Sequence, residues 1–246
     1  MKNKKPIIIT ILIIALVGAG FYFVNNKSGA CQSADLKKYQ NDKNDPVILI
    51  QTDKCQNMIL RLNPEVAPNT VANFVQVIND RKLDETNFFR IIFGFMIQGG
   101  EKTENAASEA KDNQGQNFTI KGEFKSNGFD QNNIKHERGV ISMARSAEKD
   151  SAAQQYFIVH KNGESAKSLD GEYAAFGKIV DDASFSILDE LARAEVAAAG
   201  GQSGEASAPV VPPVVKTVTV ETFGKEYKPE RIYSKEKVPS ETVPAR

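Results

Sequence analysis

Phe88-Phe89-Arg90-Ile91-Ile92-Phe93-Gly94-Phe95-Met96-Ile97-Gln98-Gly99-Gly100 decides how this chain is read. The run is apolar, rich in Ile and Phe, and stops at two glycines, which is the pattern of a buried strand. Two polar side chains, Arg90 and Gln98, are set into it. A guanidinium in such a run is costly unless something pairs with it. It is either a structural arginine at a strand edge, held by a carboxylate, or an arginine that faces a pocket and binds something. The stretch alone leaves the two readings open.

On the N-terminal side, Pro68 opens a helix where its missing N–H costs nothing. Val71, Phe74, Val75 and Ile78 recur at three and four residues and give that helix one apolar stripe. Before it, Val47-Ile48-Leu49-Ile50 and residues 58–62 read as two strands of a hairpin, with turn residues between them. On the C-terminal side, residues 101–116 are polar and without apolar periodicity, a long surface loop. Strands are expected at 118–120, 139–145, 155–159 and 175–180. A second helix is expected at about 185–195, with Phe185, Leu188 and Leu191 on one face and Asp182 or Ser184 as its cap. Residues 197–213 are rich in Ala, Gly, Ser and Pro, a flexible insertion. Residues 214–222 alternate Val and Thr, a closing strand. About eight short strands and two helices suggest a closed antiparallel barrel with the helices over its open ends.

The 246 residues suit one domain with attachments. Acidic and basic residues balance at 31 each, so no global charge points to nucleic acid or to an acidic substrate. The N-terminus differs from the rest. Residues 1–6 form a basic flank, and residues 7–24 are almost wholly apolar, about 27 Å as a helix against a hydrocarbon core of roughly 30 Å. An uncleaved single-pass anchor fits best; a cleaved signal peptide or a lipoprotein signal ending before Cys31 are the alternatives. All three put the remaining chain outside the cytoplasmic membrane. Residues 25–45 read as a polar linker, 46–224 as the folded domain and 225–246 as a charged, loosely held tail. Two cysteines, Cys31 and Cys55, are too few for a disulfide framework; an oxidising compartment would permit a bridge, and two unpaired thiols or a lipidated Cys31 fit the sequence at least as well. His136 and His160 lie far apart without ligand spacing, so neither a metal nor another cofactor is called for.

Residues 88–100 resemble the strand signature of the cyclophilin-type peptidyl-prolyl cis–trans isomerases. Phe89 stands where that pattern usually has His, and Phe93 where it has Pro. Two further motifs follow in order: Arg138-Gly139 through Met143-Ala144 with Gln155-Tyr156-Phe157-Ile158, then Leu169-Asp170-Gly171 with Phe176-Gly177-Lys178. The resemblance spans roughly residues 47–222. It implies an eight-stranded antiparallel barrel capped by two α-helices, and rotation about X–Pro peptide bonds. By position it makes Arg90 the catalytic arginine. Gln98 and Gln155 would bind the substrate backbone, with Gln155 also steadying Arg90. Phe95, Met96, Phe157, Leu169 and Tyr173 would form the proline pocket, and Ala144 and the backbone of Arg145 would hold the residue before proline. Ser168 replaces a frequent Trp, which counts against tight cyclosporin binding, and Tyr173 replaces a frequent His but can still pack on a proline ring and donate a hydrogen bond. Phe93 gives up the φ restriction of Pro, so a looser turn before Phe95 is expected.

These residue types suit the chemistry. Delocalisation of the nitrogen lone pair sets a barrier of ~18–20 kcal/mol to peptide rotation. X–Pro bonds have similar cis and trans energies but interconvert in tens of seconds or more. A fixed donor near the prolyl nitrogen favours the twisted state over both planar ones, and no nucleophile or cofactor is needed. The expected partners are proline-containing polypeptides, with the membrane reached through residues 7–24, and the expected state is a monomer. A non-catalytic proline-binding chaperone or scaffold at the membrane is the alternative; binding alone would not need Arg90.

Overall fold

The computed structural model describes residues 31–105, 109–197 and 206–234. The chain divides into two compact units, Met1–Ser33 and Ala34–Arg246. The described strands and helices belong to the second. The expected membrane segment, residues 7–24, lies outside the described residues, among which no helix is long and apolar enough to cross a membrane. Neither Cys31 nor Cys55 is a free thiol.

The hairpin expected near the start is present as β1 (Val47–Thr52) and β2 (Asn57–Leu62), paired in register from Val47–Arg61 to Gln51–Asn57. Helix α1 (Pro68–Asn79) starts on its proline and buries Val71, Phe74, Val75 and Ile78. Its N-cap, Ala67, has no polar side-chain group to accept a hydrogen bond. Buried Glu123 supplies the missing acceptors, taking Asn69 N–H at 3.0 Å and Thr70 N–H at 2.7 Å. A carboxylate there satisfies orphan donors and complements the helix dipole.

The decisive run is two strands, not one. After β3 (Thr86–Asn87) come β4 (Arg90–Ile92) and β5 (Met96–Gly99), antiparallel, with Arg90 opposite Gln98. Gly94, at φ 87°, makes the reversal possible between them, because a side chain is strained in that region. The remaining elements are β6 (Phe118–Thr119), β7 (Val140–Met143), β8 (Tyr156–Val159), the single-turn α2 (Glu164–Lys167), β9 (Ala175–Ile179), α3 (Asp182–Leu191), β10 (Val214–Glu221) and β11 (Ile232–Tyr233). Helix α3 starts three residues earlier than expected. Its cap is Asp181, whose carboxylate takes Ser184 N–H at 2.8 Å, rather than Asp182 or Ser184.

The closed eight-stranded barrel is corrected. Among the described residues, nine strands form one curled sheet in the order β3-β10-β1-β2-β9-β7-β8-β5-β4, and β11 pairs separately with β6. The sheet ends on β3 and β4 without a ladder between them. Those two strands follow each other in the chain with only Phe88 and Phe89 between them, so neither can turn back to pair with the other, and beyond β5 Glu101 meets Asn87 in an isolated bridge. The main core fills the concave side: α1 gives Phe74, Val71 and Val75, the sheet gives Ile48, Ile50, Leu60, Ile97, Ile141, Tyr156, Ile158 and Phe176, and α3 gives Leu188 and Leu191. Phe74 meets Tyr156 edge-on, ring centroids 5.4 Å apart.

Three segments read as loose are held. Leu36 and Tyr39, in the polar linker, pack on the opposite sheet face with Val47, Leu49 and Ile59, and Tyr39 O–H donates to Asp181. In the insertion, Ser207 accepts Ile91 N–H at 2.7 Å and Pro213 accepts Phe88 N–H at 2.9 Å, which straps the β4 edge. At the start of the tail, Asn69 and Glu230 exchange hydrogen bonds, Nδ2–H to O at 2.9 Å and N–H to Oδ1 at 2.7 Å. Backbone donors and acceptors unpaired in sequence terms find partners that are distant along the chain, which local composition does not register.

Candidate active site

The β4–β5 hairpin and β8 build the site by strand alternation. Successive side chains on a strand point to opposite faces. On β5, Ile97 enters the main core while Met96 joins a second apolar cluster. On β8, Tyr156 and Ile158 enter the core while Phe157 and Val159 join the second cluster. That cluster gathers Met96, Phe157, Phe95, Ala144, Leu169 and Tyr173 from four parts of the chain. Every apolar residue expected in the pocket is in it. Tyr173 meets Phe157 edge-on, centroids 5.8 Å apart.

Beside this wall runs a polar line. Arg90 Nη1 donates to Gln98 Oε1 at 3.4 Å, and Gln98 Nε2 donates to Gln155 Oε1 at 3.3 Å. Gln98 lies opposite Arg90 on one side and opposite Phe157 on the other, so the guanidinium, both amides and the aromatic ring share one neighbourhood. Arg90 is half-buried. Ala144 N–H donates to Gln155 O at 3.0 Å, fixing the strand end next to Arg145.

The Arg145 side chain has a role that sequence did not reveal. Its guanidinium donates to Glu172 O at 2.9 Å and to Ser146 O at 2.9 Å, and lies over the Tyr173 ring at 4.5 Å and the Phe124 ring at 5.1 Å. It ties the pocket wall to two loops. Sequence spacing suggests no catalytic role for either histidine, and both are structural parts of the site. His136 stacks beneath Phe157, centroids 5.9 Å apart and 18° from parallel. Its ring nitrogens sit 3.1 Å from Asp170 Oδ1 and 3.0 Å from Ser142 Oγ. Burial pushes its pKa down, against the pull of Asp170, which favours the neutral ring.

His160 holds the β4–β5 turn. Gly94 N–H donates to His160 Nδ1 at 3.0 Å, and His160 N–H donates to Phe95 O at 2.7 Å. Asp189 takes the other ring nitrogen at 3.1 Å and is itself gripped by Arg138 at 2.8 and 3.2 Å. Burial also lowers the His160 pKa. The looser turn expected from Phe93 is therefore offset: the φ restriction of Pro is gone, but three hydrogen bonds, with Phe95 N–H to Ile92 O at 2.9 Å as the third, pin the turn. The pairing of His160 with Gly94 spans 66 residues, and no local spacing signals it.

A cavity of about 460 Å³ opens next to the polar line. Gln98, Gln155, Ala144 and Arg145 line it, together with Glu101, Glu109 and Ser234.

Residues 47–220 match the family model of the cyclophilin type peptidyl-prolyl cis-trans isomerases. The chain belongs to this family. It is 32% identical over 165 residues to peptidyl-prolyl cis-trans isomerase A of Dickeya dadantii, covering 66% of this chain and 80% of that one. It is 38% identical over 125 residues to peptidyl-prolyl cis-trans isomerase B of Bacillus subtilis, covering 51% of this chain and 77% of that one. A cyclophilin of Cryptosporidium parvum, crystallised in the presence of the dipeptide Ala-Pro, has the same fold, with a TM-score of 0.56 and 22% identity over 71% of this chain and 98% of that one.

Proposed function

We propose that Arg90, Gln98 and Gln155, with the apolar wall beside them, carry out the prolyl isomerase activity that goes with membership of the cyclophilin family. One observation carries this reading: the hydrogen-bonded line Arg90–Gln98–Gln155 runs along the cluster of Phe95, Met96, Phe157, Leu169 and Tyr173. The wall holds a proline ring by apolar contact. Gln98 and Gln155 bond the backbone on its N-terminal side, with Ala144 and the Arg145 backbone pairing the residue before proline. Arg90 then donates toward the prolyl nitrogen. In the planar ground states that nitrogen has no free lone pair; in the twisted state it does. The donor therefore binds the twisted state more strongly, and only such differential binding accelerates a reaction. Guanidinium suits the role because it stays charged and its fork is rigid. Gln98 fixes one arm of that fork, so little reorganisation is needed when the bond turns.

The test is isomerisation of a proline-containing peptide by the purified chain and by Arg90→Ala. A fall of about 100-fold in kcat/KM, some 2.7 kcal/mol of transition-state stabilisation, is expected from loss of one aimed donor. A variant as active as the parent would overturn the assignment.

The physiological setting follows from residues 1–30. The basic flank and the apolar stretch at 7–24 support a single-pass anchor, with the domain outside the cytoplasmic membrane, acting as a monomer on exported proteins as they fold. Membrane fractionation with protease accessibility in spheroplasts tests this; a domain that stays protected from protease in intact spheroplasts but not in lysed ones would overturn it.

A further inference from the structure

We propose that residues 235–239 of this chain, Lys235-Glu236-Lys237-Val238-Pro239, dock in the cavity beside Arg90 and set Val238–Pro239 in the groove, making the tail a tethered competitor of other proline-containing chains. The inference rests on the reading of the groove given under Proposed function.

The path of the chain carries it. After the Asn69–Glu230 pair, Arg231 lies over the Phe118 ring at 3.9 Å and donates to Asn73 Oδ1 at 3.0 Å. Ile232 and Tyr233 then pair with Thr119 and Phe118 as β11, and Ser234 N–H donates to Asn117 O at 3.2 Å. These contacts deliver the backbone to one place. Ser234 is part of the wall of the 460 Å³ cavity that Gln98, Gln155, Ala144 and Arg145 also line. Five further residues reach about 17 Å when extended, more than the roughly 10 Å width of a rounded cavity of that volume.

The residue types in the tail also fit the cavity. Glu101 and Glu109 line it, carboxylates opposite in charge to Lys235 and Lys237. Gln154 Nε2–H donates to Glu101 at 2.6 Å and fixes one carboxylate there. Val238 would then lie beside Ala144 and Arg145; a residue before proline is confined to extended backbone, the form that pairs with a strand end. Pro239 would meet the wall of Phe95, Met96, Phe157, Leu169 and Tyr173. A short tether sets an effective concentration in the mM range, so even weak intrinsic affinity gives substantial occupancy.

The test compares the full chain, purified in detergent, with the chain ending at Ser234, which keeps β11. A fluorescent peptide of residues 235–246 is titrated against both and followed by anisotropy. KM and kcat for a short proline-containing peptide are measured in parallel, for these two and for Pro239→Ala in the full chain. The labelled peptide is expected to bind the truncated chain, and to bind the full chain at least about fivefold more weakly. The Pro239→Ala peptide should bind the truncated chain at least fivefold more weakly than the parent peptide. Truncation and Pro239→Ala should each lower KM by a similar factor and leave kcat unchanged. Absence of binding, equal binding to the full and truncated chains, or binding lost with Pro244→Ala and kept with Pro239→Ala overturns the proposal. A chain that isomerises but binds no tail peptide overturns the docking alone. A chain that binds the tail peptide without turnover overturns only the catalytic reading.

Discussion

The imidazole of His160 holds the backbone of Gly94: its Nδ1 accepts the Gly94 N–H at 3.0 Å while Asp189 takes the opposite nitrogen at 3.1 Å. The acceptor role at Nδ1 requires that this nitrogen carry no proton, so the turn is held only by the neutral ring. His160→Ala removes the anchor of the turn that presents Phe95 and Met96. kcat/KM is expected to fall about tenfold, the equivalent of roughly 1.4 kcal/mol. His160→Asn, which keeps a short polar side chain, should recover part of it. Unchanged steady-state kinetics in His160→Ala would show that the turn needs no anchor.

The two buried histidines also predict an acid limit to stability. Burial lowers the pKa of His136 and of His160 below the ordinary value. The unfolded chain therefore binds more protons than the folded one as pH drops below about 6.5. Their contribution is fully present above that pH and is lost progressively as pH falls toward the folded values. Asp189 adds to the limit: burial pushes its carboxyl up, but bonds from Arg138 and His160 outweigh this and hold it below the usual range, so its contribution is present above about 3.9 and is lost as pH falls below that value. Thermal unfolding from pH 8 to pH 4 should show Tm falling below pH 6.5, with a shallower fall in His136→Gln. An identical slope in parent and variant would remove His136 from the account.

Glu123 caps α1 from 53 residues away, through two backbone donors. Glu123→Ala leaves both N–H groups unsatisfied next to a buried helix start. Charge-assisted bonds of this kind are worth about 1.5–3 kcal/mol each at most, so a loss of about 2–3 kcal/mol is expected by urea unfolding. Glu123→Gln, which keeps one acceptor oxygen, should lose less. Equal stability of Glu123→Ala and parent would assign the helix start to water.

Gly100 stands at φ 99°, and a Cβ there would lie 2.7 Å from Gln154 O. Backbone cannot yield as a flexible side chain does. Gly100→Ala should therefore cost about 2–3 kcal/mol through strain and displacement of Gln154. Because Gln154 precedes Gln155, catalysis should fall too. The pair of readouts, unfolding midpoint and kcat/KM, distinguishes a purely local effect, which would move only the first.

Strand periods and the apolar stripe of α1 were legible in sequence because each is set by residues a few positions apart. The site residues were legible as a list of types at motif spacing, and through the family resemblance those motifs carry. Their convergence was not. Phe95 and Met96 meet Phe157, Leu169 and Tyr173 only because β5 pairs with β8 and the β9 side of the sheet folds against them. The run 88–100 illustrates the limit: it reads as one strand, since hydrophobicity carries no signal for reversal, and the φ of Gly94 makes it two.

By itself, the sequence determined the β1–β2 hairpin, the positions of most of the other strands and the two longer helices, the apolar N-terminal stretch and the identity of Arg90, Gln98 and Gln155 as the polar residues in apolar runs. Tertiary structure decided that the sheet stays open, that Gln98 links Arg90 to Gln155, that His160 and Glu123 serve distant backbone groups, and that the tail arrives at the cavity beside the site. The physical reason is common to these. Each is a hydrogen bond, register or contact between groups far apart in the chain, and its free energy exists only once folding has brought both partners into place.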